Sequence, residues 1–387
     1  MRAEGQNTTR SSNFVFAIVI LHGTTTQRPE GRIGFQDMDN YSSPIRMGIV
    51  GLGRAGWGMH CAELDKYPNL FKIVAVCDPL KERRDMAVAK YGCAAYRRYA
   101  DLLSDRDVEL VDIASGTDDH VTQTLAALAT GRWVHLEKPM CLTHKEAVVL
   151  RAASIKARNR LTMRHNRRFE DGFQHIREII ASGLLGEVYD IKLRFGSFSR
   201  RDDWQALKCR GGGQLLNWGT HLIDQSLQFL GAPPVRIWSD LKRVAAAGDA
   251  EDYVHILMCN AAGLTVDMEI SGGRVIPEPE YTVTGTRGGL TRSGKEIKLR
   301  YMDPAQKLKR RRASVRTPKL GTYGTPEELK WIEETIAVQP QKPDGMTRIW
   351  EHLYATIRQN KPFPVTLDQA VEVMRIISLS RKGTPFS

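Results

Sequence analysis

The chain lacks the marks of a disulfide-stapled, zinc-binding or membrane-spanning protein. Its 387 residues include six cysteines, Cys61, Cys77, Cys93, Cys141, Cys209 and Cys259, with no CxxC pair and several inside apolar segments that read as core. This excludes a zinc spacing and fits small apolar fillers in a reducing compartment, so a cytoplasmic protein is expected. No apolar run reaches the length of a bilayer span, and no membrane partner is expected. The short stretch 14–21 (FVFAIVIL) stands behind Arg2 and Arg10 like a signal-peptide core. His22 and Gly23 follow without a small-x-small cleavage site, and no twin arginine precedes it. Residues 1–42 are therefore expected to form an extension outside the fold, poorly ordered.

The net charge of +12 raises the question of nucleic acid. Residues 1–42 contribute nothing to it, because Arg2, Arg10, Arg28 and Arg32 balance Glu4, Glu30, Asp37 and Asp39. The dense basic run, 307–312 (KLKRRR), has neither aromatic interleaving nor a docking motif, and reads as a solvated loop or sheet edge. No specific nucleic-acid partner is expected. With 42% hydrophobic residues the chain can bury a large core, and its length suggests two domains.

What is present begins at 46–59, RMGIVGLGRAGWGM. Residues 47–50 read as a buried parallel strand, followed by Gly51, Gly53 and Gly56 at the spacing of a dinucleotide-binding turn, with a helix over 55–66. Gly51 permits the tight turn, Gly53 lets backbone approach a pyrophosphate, and Gly56 allows close packing of helix on strand. Phosphate would sit on the free N–H groups opening the helix near Arg54. A second strand, 73–77, ends in Asp78, where a carboxylate accepts from a ribose 2′-OH and favours NAD. A plain turn-forming role before Pro79 is the alternative, and Lys81, Arg83 and Arg84 could hold the 2′-phosphate of NADP.

The alternation continues with a helix over 81–91, a strand over 110–114, a helix over 120–130 ended by Gly131, and a strand over 133–136. Right-handed crossovers then give a parallel sheet whose strand ends gather ligands. Four segments meet there: the glycine turn, Asp78, Ser115 to Thr117, and Glu137 to Pro139. Lys138, leaving a buried strand and wedged before proline, is partly desolvated, which lowers its pKa toward a useful range. An ordinary surface lysine is the competing reading. Beyond residue 161 come a helix over 171–182 and longer alternating strands at 188–195, 235–241, 253–260, 264–270 and 280–285. Gly211, Gly212 and Gly213 read as a flexible loop into one amphipathic helix carrying Leu215, Leu216, Ile223, Leu227 and Leu230. Asn217 and His221, four apart, share a face of it and form a candidate site wall, unless His221 is a satisfied core histidine.

GLGRAG, the strand-end Asp78, SGTDDH (115–120), LEKP (136–139), NRRF (166–169) and GGGQLLNWGTHLID (211–224) together resemble the Gfo/Idh/MocA oxidoreductases, from about residue 45 onward. The resemblance implies an α/β protein: an N-terminal Rossmann dinucleotide-binding domain (43–163), then a C-terminal α/β domain with a large, mostly antiparallel sheet (164–366). A last helix (367–387) would return to the first domain. The sheet is often used for oligomerisation, implying a homo-oligomer, dimer or tetramer. The family lysine that contacts nicotinamide and substrate corresponds to Lys138, the pocket-lining glutamate to Glu137, and the helix histidine to His221. Asn217 stands where the family usually has aspartate. An amide can donate and accept hydrogen bonds but cannot take a proton, so proton transfer would rest on His221 and Lys138.

The combined expectation is an NAD(P)-dependent oxidoreductase acting on a secondary hydroxyl of a sugar, cyclitol or sugar derivative. Lys138, His221 and Asn217 would be catalytic. Gly51, Leu52, Gly53, Arg54, Ala55, Gly56, Asp78, Pro79, Ser115, Thr117, His120, Glu137, Lys138 and Arg168 would bind NAD, with NADP not excluded. Lys138, Arg168, Lys208, Asn217 and His221 would meet the substrate, and no metal is called for. The rivals are an NAD-retaining lyase or glycosidase working by transient oxidation, and a non-catalytic sensor.

Overall fold

The computed structural model of the chain describes residues 43–386, apart from 319–320, 322, 325 and 342–344; the extension expected over 1–42 lies outside the described residues. Among the described residues no helix is long and apolar enough to cross a membrane.

Short, mostly apolar runs form a parallel sheet: β1 (Ile45–Val50), β2 (Phe71–Cys77), β3 (Ala94–Tyr96), β4 (Leu110–Ile113), β5 (Trp133–Leu136) and β6 (Leu161–Met163), largely buried except at the exposed edge strand β3. Their order is β3-β2-β1-β4-β5-β6. The chain reverses direction of winding between β1 and β4, which leaves a crevice at the carboxyl ends. Register places the functional loops along one edge. Val50 lies opposite Cys77 and Ile113, Ile113 opposite Leu136, and Leu136 opposite Met163. Gly51, Asp78, Ala114, Glu137 and Arg164 therefore leave the sheet side by side.

The second sheet holds β7 (Val188–Phe195), β8 (Arg236–Lys242), β9 (Tyr253–Cys259), β10 (Thr265–Ser271), β11 (Tyr281–Gly285), β12 (Gly288–Ser293), β13 (Glu296–Met302) and β14 (Trp331–Ala337). Its order is β14-β13-β12-β11-β7-β10-β9-β8, antiparallel except for the β7 and β10 pair. Alternation sets its inner face: Ile191 and Leu193, Val254 and Ile256, Val266 and Met268 are buried, while their neighbours along each strand are half-buried or exposed. Helices Asp171–Ala181 and Gly219–Leu230 bury Phe173, Ile176, Ile223 and Leu227. Each such side chain contributes about 1.5–3 kcal/mol on burial. Helix Leu367–Arg381 packs on helices His144–Lys156 and Gly219–Leu230 and on β8. From helix Arg348–Gln359, Trp350 is fully buried against Phe71 and donates its indole N–H to Glu63, 2.6 Å away.

Three local expectations are corrected. The helix expected over 55–66 opens as a wide π turn over Gly56–Cys61, with His60 N–H bonding Ala55 C=O, and regular α structure is confined to Ala62–Leu64. The single helix after the glycines is two, Gln214–Asn217 and Gly219–Leu230, jointed at Trp218. The triple glycine is a packed strap, not a flexible loop. A Cβ on Gly212 would lie 2.5 Å from Gln205 O, and one on Gly213 (φ +105°) 2.2 Å from Glu251 Oε1. The basic run 307–312 lies in exposed coil after β13.

Candidate active site

The crevice at the ends of β1, β2, β4 and β5 opens into a cavity of about 920 Å³, closed on its far side by the glycine strap and helix Gln214–Asn217. At its floor Gly51 (φ +86°) makes a turn that a side chain would block, since a Cβ would lie 2.7 Å from Ala114 O. A Cβ on Gly56 would lie 1.9 Å from Gly51 O, so turn and helix touch. Gly53 differs: the nearest protein atom to its Cβ would be Arg83 Nη1 at 3.8 Å, which leaves the backbone open to a ligand. Asp78 is buried, with Oδ2 accepting from Leu52 N–H at 2.7 Å and Oδ1 from Leu80 N–H at 2.9 Å. Arg83 stands 3.4 Å from its Oδ2, and Arg84 donates to Asp78 O and Pro79 O. The groove thus offers an open glycine backbone and a carboxylate flanked by guanidinium groups, which fits a dinucleotide.

Lys138 emerges from β5 through a cis bond to Pro139. His120 braces this corner, with Nδ1 2.8 Å from Pro139 O and Nε2 3.3 Å from Ser115 O. Burial lowers the pKa of His120, so the neutral ring has one proton to share between those two carbonyl oxygens. Glu137 is buried and accepts from Lys138 N–H at 2.5 Å. Burial raises its pKa, but Arg164 and Lys138 outweigh this and hold the carboxyl below its usual range. The Lys138 ammonium is half-buried, 3.2 Å from Asn217 Oδ1 and 3.3 Å from Asn217 O. Burial lowers its pKa, opposed by Glu137 and reinforced by Arg167 and Arg54.

His221 sits one turn after Asn217 and lines the same cavity. Its Nδ1 is buried with no hydrogen-bond partner. Burial, then the charges of Lys138 and Arg167, push its pKa well below the ordinary value, and the ring is neutral at pH 7. The Asn217 amide oxygen holds Lys138, while His221 comes from the next helix, Gly219–Leu230, beyond the joint at Trp218. A neutral imidazole beside a desolvated ammonium can take a proton while the ammonium steadies developing negative charge.

Of the residues singled out in the sequence, Gly51, Gly53, Arg54, Ala55, Asp78, Pro79, Ser115, Thr117, His120, Glu137, Lys138, Asn217 and His221 line the cavity. Gly56 supports it from beneath. Three do not reach it. Leu52 is buried in the core and gives its N–H to Asp78, so it positions that carboxylate. Arg168 is buried and ion-paired with Asp224, with Nη1 donating to Pro364 O and Gln369 Oε1. Lys208 is exposed and reaches Pro385 O at 3.2 Å, away from the cleft. The neighbouring Arg167 takes the place expected of Arg168. It lines the cavity, its guanidinium 4.2 Å from the Trp218 ring centre, with one nitrogen 3.0 Å from Glu170. Adjacent residues of the short turn Asn166–Phe169 point to different sides, and the sequence carries no cue for which arginine turns inward.

Comparison with known proteins agrees with this geometry. Residues 45–165 match the family described as "Oxidoreductase family, NAD-binding Rossmann fold", and residues 173–291 match the "GFO/IDH/MocA C-terminal domain". The chain belongs to the Gfo/Idh/MocA family. Members of it are NAD(P)-binding oxidoreductases, and this chain is such an enzyme. Over 346 residues it is 22% identical to scyllo-inositol 2-dehydrogenase (NADP(+)) IolW of Bacillus subtilis, covering 88% of this chain and 94% of that protein. It is 30% identical to D-glucoside 3-dehydrogenase of Escherichia coli over 206 residues, 50% of this chain and 56% of that protein. Among solved structures, the oxidoreductase yvaA of Bacillus subtilis superposes with TM-score 0.74 at 20% identity, covering 89% of this chain and 97% of that one. An NAD-binding protein from Listeria innocua gives TM-score 0.72 at 23% identity, covering 87% and 93%. Both show the shared fold.

Proposed function

We propose that this enzyme oxidises a secondary hydroxyl of a sugar, cyclitol or sugar derivative, or reduces the matching ketone. The observation that carries the reading is the meeting of Lys138 with Asn217, one helical turn from His221, beside a groove fit for a dinucleotide. Arg54, Ala55 and the Gly53 backbone would hold the pyrophosphate, and Asp78 with Arg83 the adenosine ribose. Bound NAD(P)+ supplies the hydride acceptor.

The chain's own groups do the rest. Lys138 Nζ donates to the substrate hydroxyl oxygen and stabilises the charge that develops on it. Neutral His221 takes the hydroxyl proton. Asn217 keeps the ammonium in place through Oδ1, and because it cannot itself accept a proton it leaves that task to the imidazole. The names of the inositol and glucoside dehydrogenases among its relatives support a polyol substrate. The test is to add NAD+ or NADP+ with a panel of sugars and cyclitols and follow reduced nicotinamide by absorbance. Stoichiometric reduced cofactor from at least one polyol is expected. Bond cleavage without net reduced cofactor would favour the lyase or glycosidase alternative, and no reaction with any polyol would overturn both.

A further inference from the structure

Most carboxylates that line the cleft are already engaged by the protein. Asp203 is forked by Arg201, with contacts of 2.7 and 2.9 Å, and Asp118 faces Arg210 at 3.2 Å. Glu63 is claimed by Arg164 and the Trp350 indole, and Glu137 by the Lys138 N–H. At the reacting end two cations remain. The Lys138 ammonium hydrogen-bonds to Asn217, which carries no charge, and Arg167 has a carboxylate that it must share.

Arg167 is built into that end of the cavity. Its guanidinium lies over the Trp218 ring, whose centre is 5.8 Å from that of His221. One nitrogen reaches Glu170 Oε2, but Glu170 Oε1 also accepts from Arg292 at 3.2 Å, and the other carboxylate near Arg292, Glu280, stands farther off at 3.5 Å. One carboxylate therefore serves two guanidinium groups. The other two nitrogens of Arg167 make no hydrogen bond among the described residues, and its side chain, 29% exposed, lines the cavity. They are open to a ligand. After burial, the charges of Lys138 and Arg167 are what lower the His221 pKa, so positive charge is in surplus around the base. A planar fork with spare N–H groups, already oriented by stacking, suits an oxyanion better than a lone hydroxyl.

Resting on the polyol reading above, we propose that Arg167 sets substrate choice: it takes an anionic group of the substrate, so the preferred polyol is a sugar acid or sugar phosphate and not a neutral sugar. The reacting hydroxyl lies against Lys138 and His221, with the carboxylate or phosphate on the Trp218 side.

Calorimetry on the enzyme saturated with NADH or NADPH, which cannot take a hydride from a hydroxyl, tests this without turnover. Glucuronate and glucose 6-phosphate are compared with glucose, galacturonate with galactose, and gluconate with glucitol. At least one anion is expected to bind ~10-fold or more tightly than its neutral parent, and the acid and phosphate arms identify the group. In Arg167→Gln that ratio should fall close to one. Arg167→Lys, which keeps the charge and loses the planar fork, should retain part of it. Each ratio is taken within one preparation, so a loss of folded protein does not alter it. Equal affinity for anions and neutral parents would overturn the proposal. So would an advantage that Arg167→Gln leaves intact, which would assign it to the overall charge of +12. Turnover is read separately. Oxidation of neutral sugars with no preference for an anion removes the Arg167 role alone, whereas selective anion binding without nicotinamide reduction removes the oxidation reading and leaves Arg167 standing.

Discussion

The two lobes build their halves of the cleft by different means. The first contributes strand ends, where register brings Gly51, Asp78, Ala114 and Glu137 to one edge and position alone makes a binding surface. The second contributes side chains from one jointed helical segment, Asn217, Trp218 and His221, held by a strap of glycines with no room for a Cβ. In the first lobe glycine makes space for a ligand; in the second it lets the protein close on itself. A binding surface of backbone tolerates varied side chains around it, while one of side chains depends on the packing behind it.

Sharpest is the split between chemistry and binding. Lys138→Ala and His221→Ala should each lower turnover by about 10² to 10⁴ while dinucleotide affinity, measured by fluorescence titration, changes little. Full turnover in either variant would remove that residue's role. Next come the paired arginines. Arg168→Ala strands buried Asp224 and should cost about 3–5 kcal/mol of stability by denaturant unfolding. Arg167→Ala, which loses a cleft-facing group, should alter KM with little change in stability. Similar stability losses in both would dissolve the distinction between them.

The glycines can be compared in the same way. Gly213→Ala places a Cβ against Glu251 at positive φ, and should lower stability by about 1–3 kcal/mol, seen as a lower Tm. Gly53→Ala should keep the Tm and weaken dinucleotide binding. The reverse pattern would show that the strap, not the turn, is the ligand surface.

A gentler probe is pH. Burial lowers His135 to about 3 and His352 to about 4, so between those values and about 6.5 the unfolded chain binds protons that the folded one refuses. Stability should therefore fall as pH drops below about 6.5, by up to about 1.4 kcal/mol per pH unit for each histidine, with denaturant midpoints at pH 7, 5.5 and 4.5 as the measurement. Because the His221 pKa is also lowered, the acid limb of turnover should lie below 6.5. A limb at or above 6.5 would show that another group sets it. Smallest is the ion pair between Asp118 of the first lobe and Arg210 of the second, 3.2 Å apart and exposed. Asp118→Asn should shift stability by less than about 1 kcal/mol, and a larger shift would mean that the two lobes depend on this contact.

Legibility followed the same division. The buried strands of the first lobe were readable because apolar runs bounded by glycine and helix signals admit few alternatives, and Trp133–Leu136 and the helix Lys81–Tyr91 fall where expected. β12 and β14 were passed over: one begins with paired glycines, and the other is mostly exposed at the sheet edge, so neither shows clean alternation. Helix His144–Lys156 was also missed although its signal was present, since Thr143 and Glu146 form a reciprocal capping box. Arg167 carried no comparable mark. Its place in the cleft is set by a group distant in sequence, the Trp218 ring against which its guanidinium lies.

The order of motifs along the chain by itself determined the family, the parallel sheet and the placement of Asp78 and Lys138 at its ligand edge, because strand ends follow from local patterning. Only the tertiary structure decided which arginine enters the cleft, that Lys208 turns away, and that Asn217 grips Lys138 across 79 residues of sequence. Side-chain direction and pairing are set by packing between elements, and one-dimensional periodicity does not record which elements face each other.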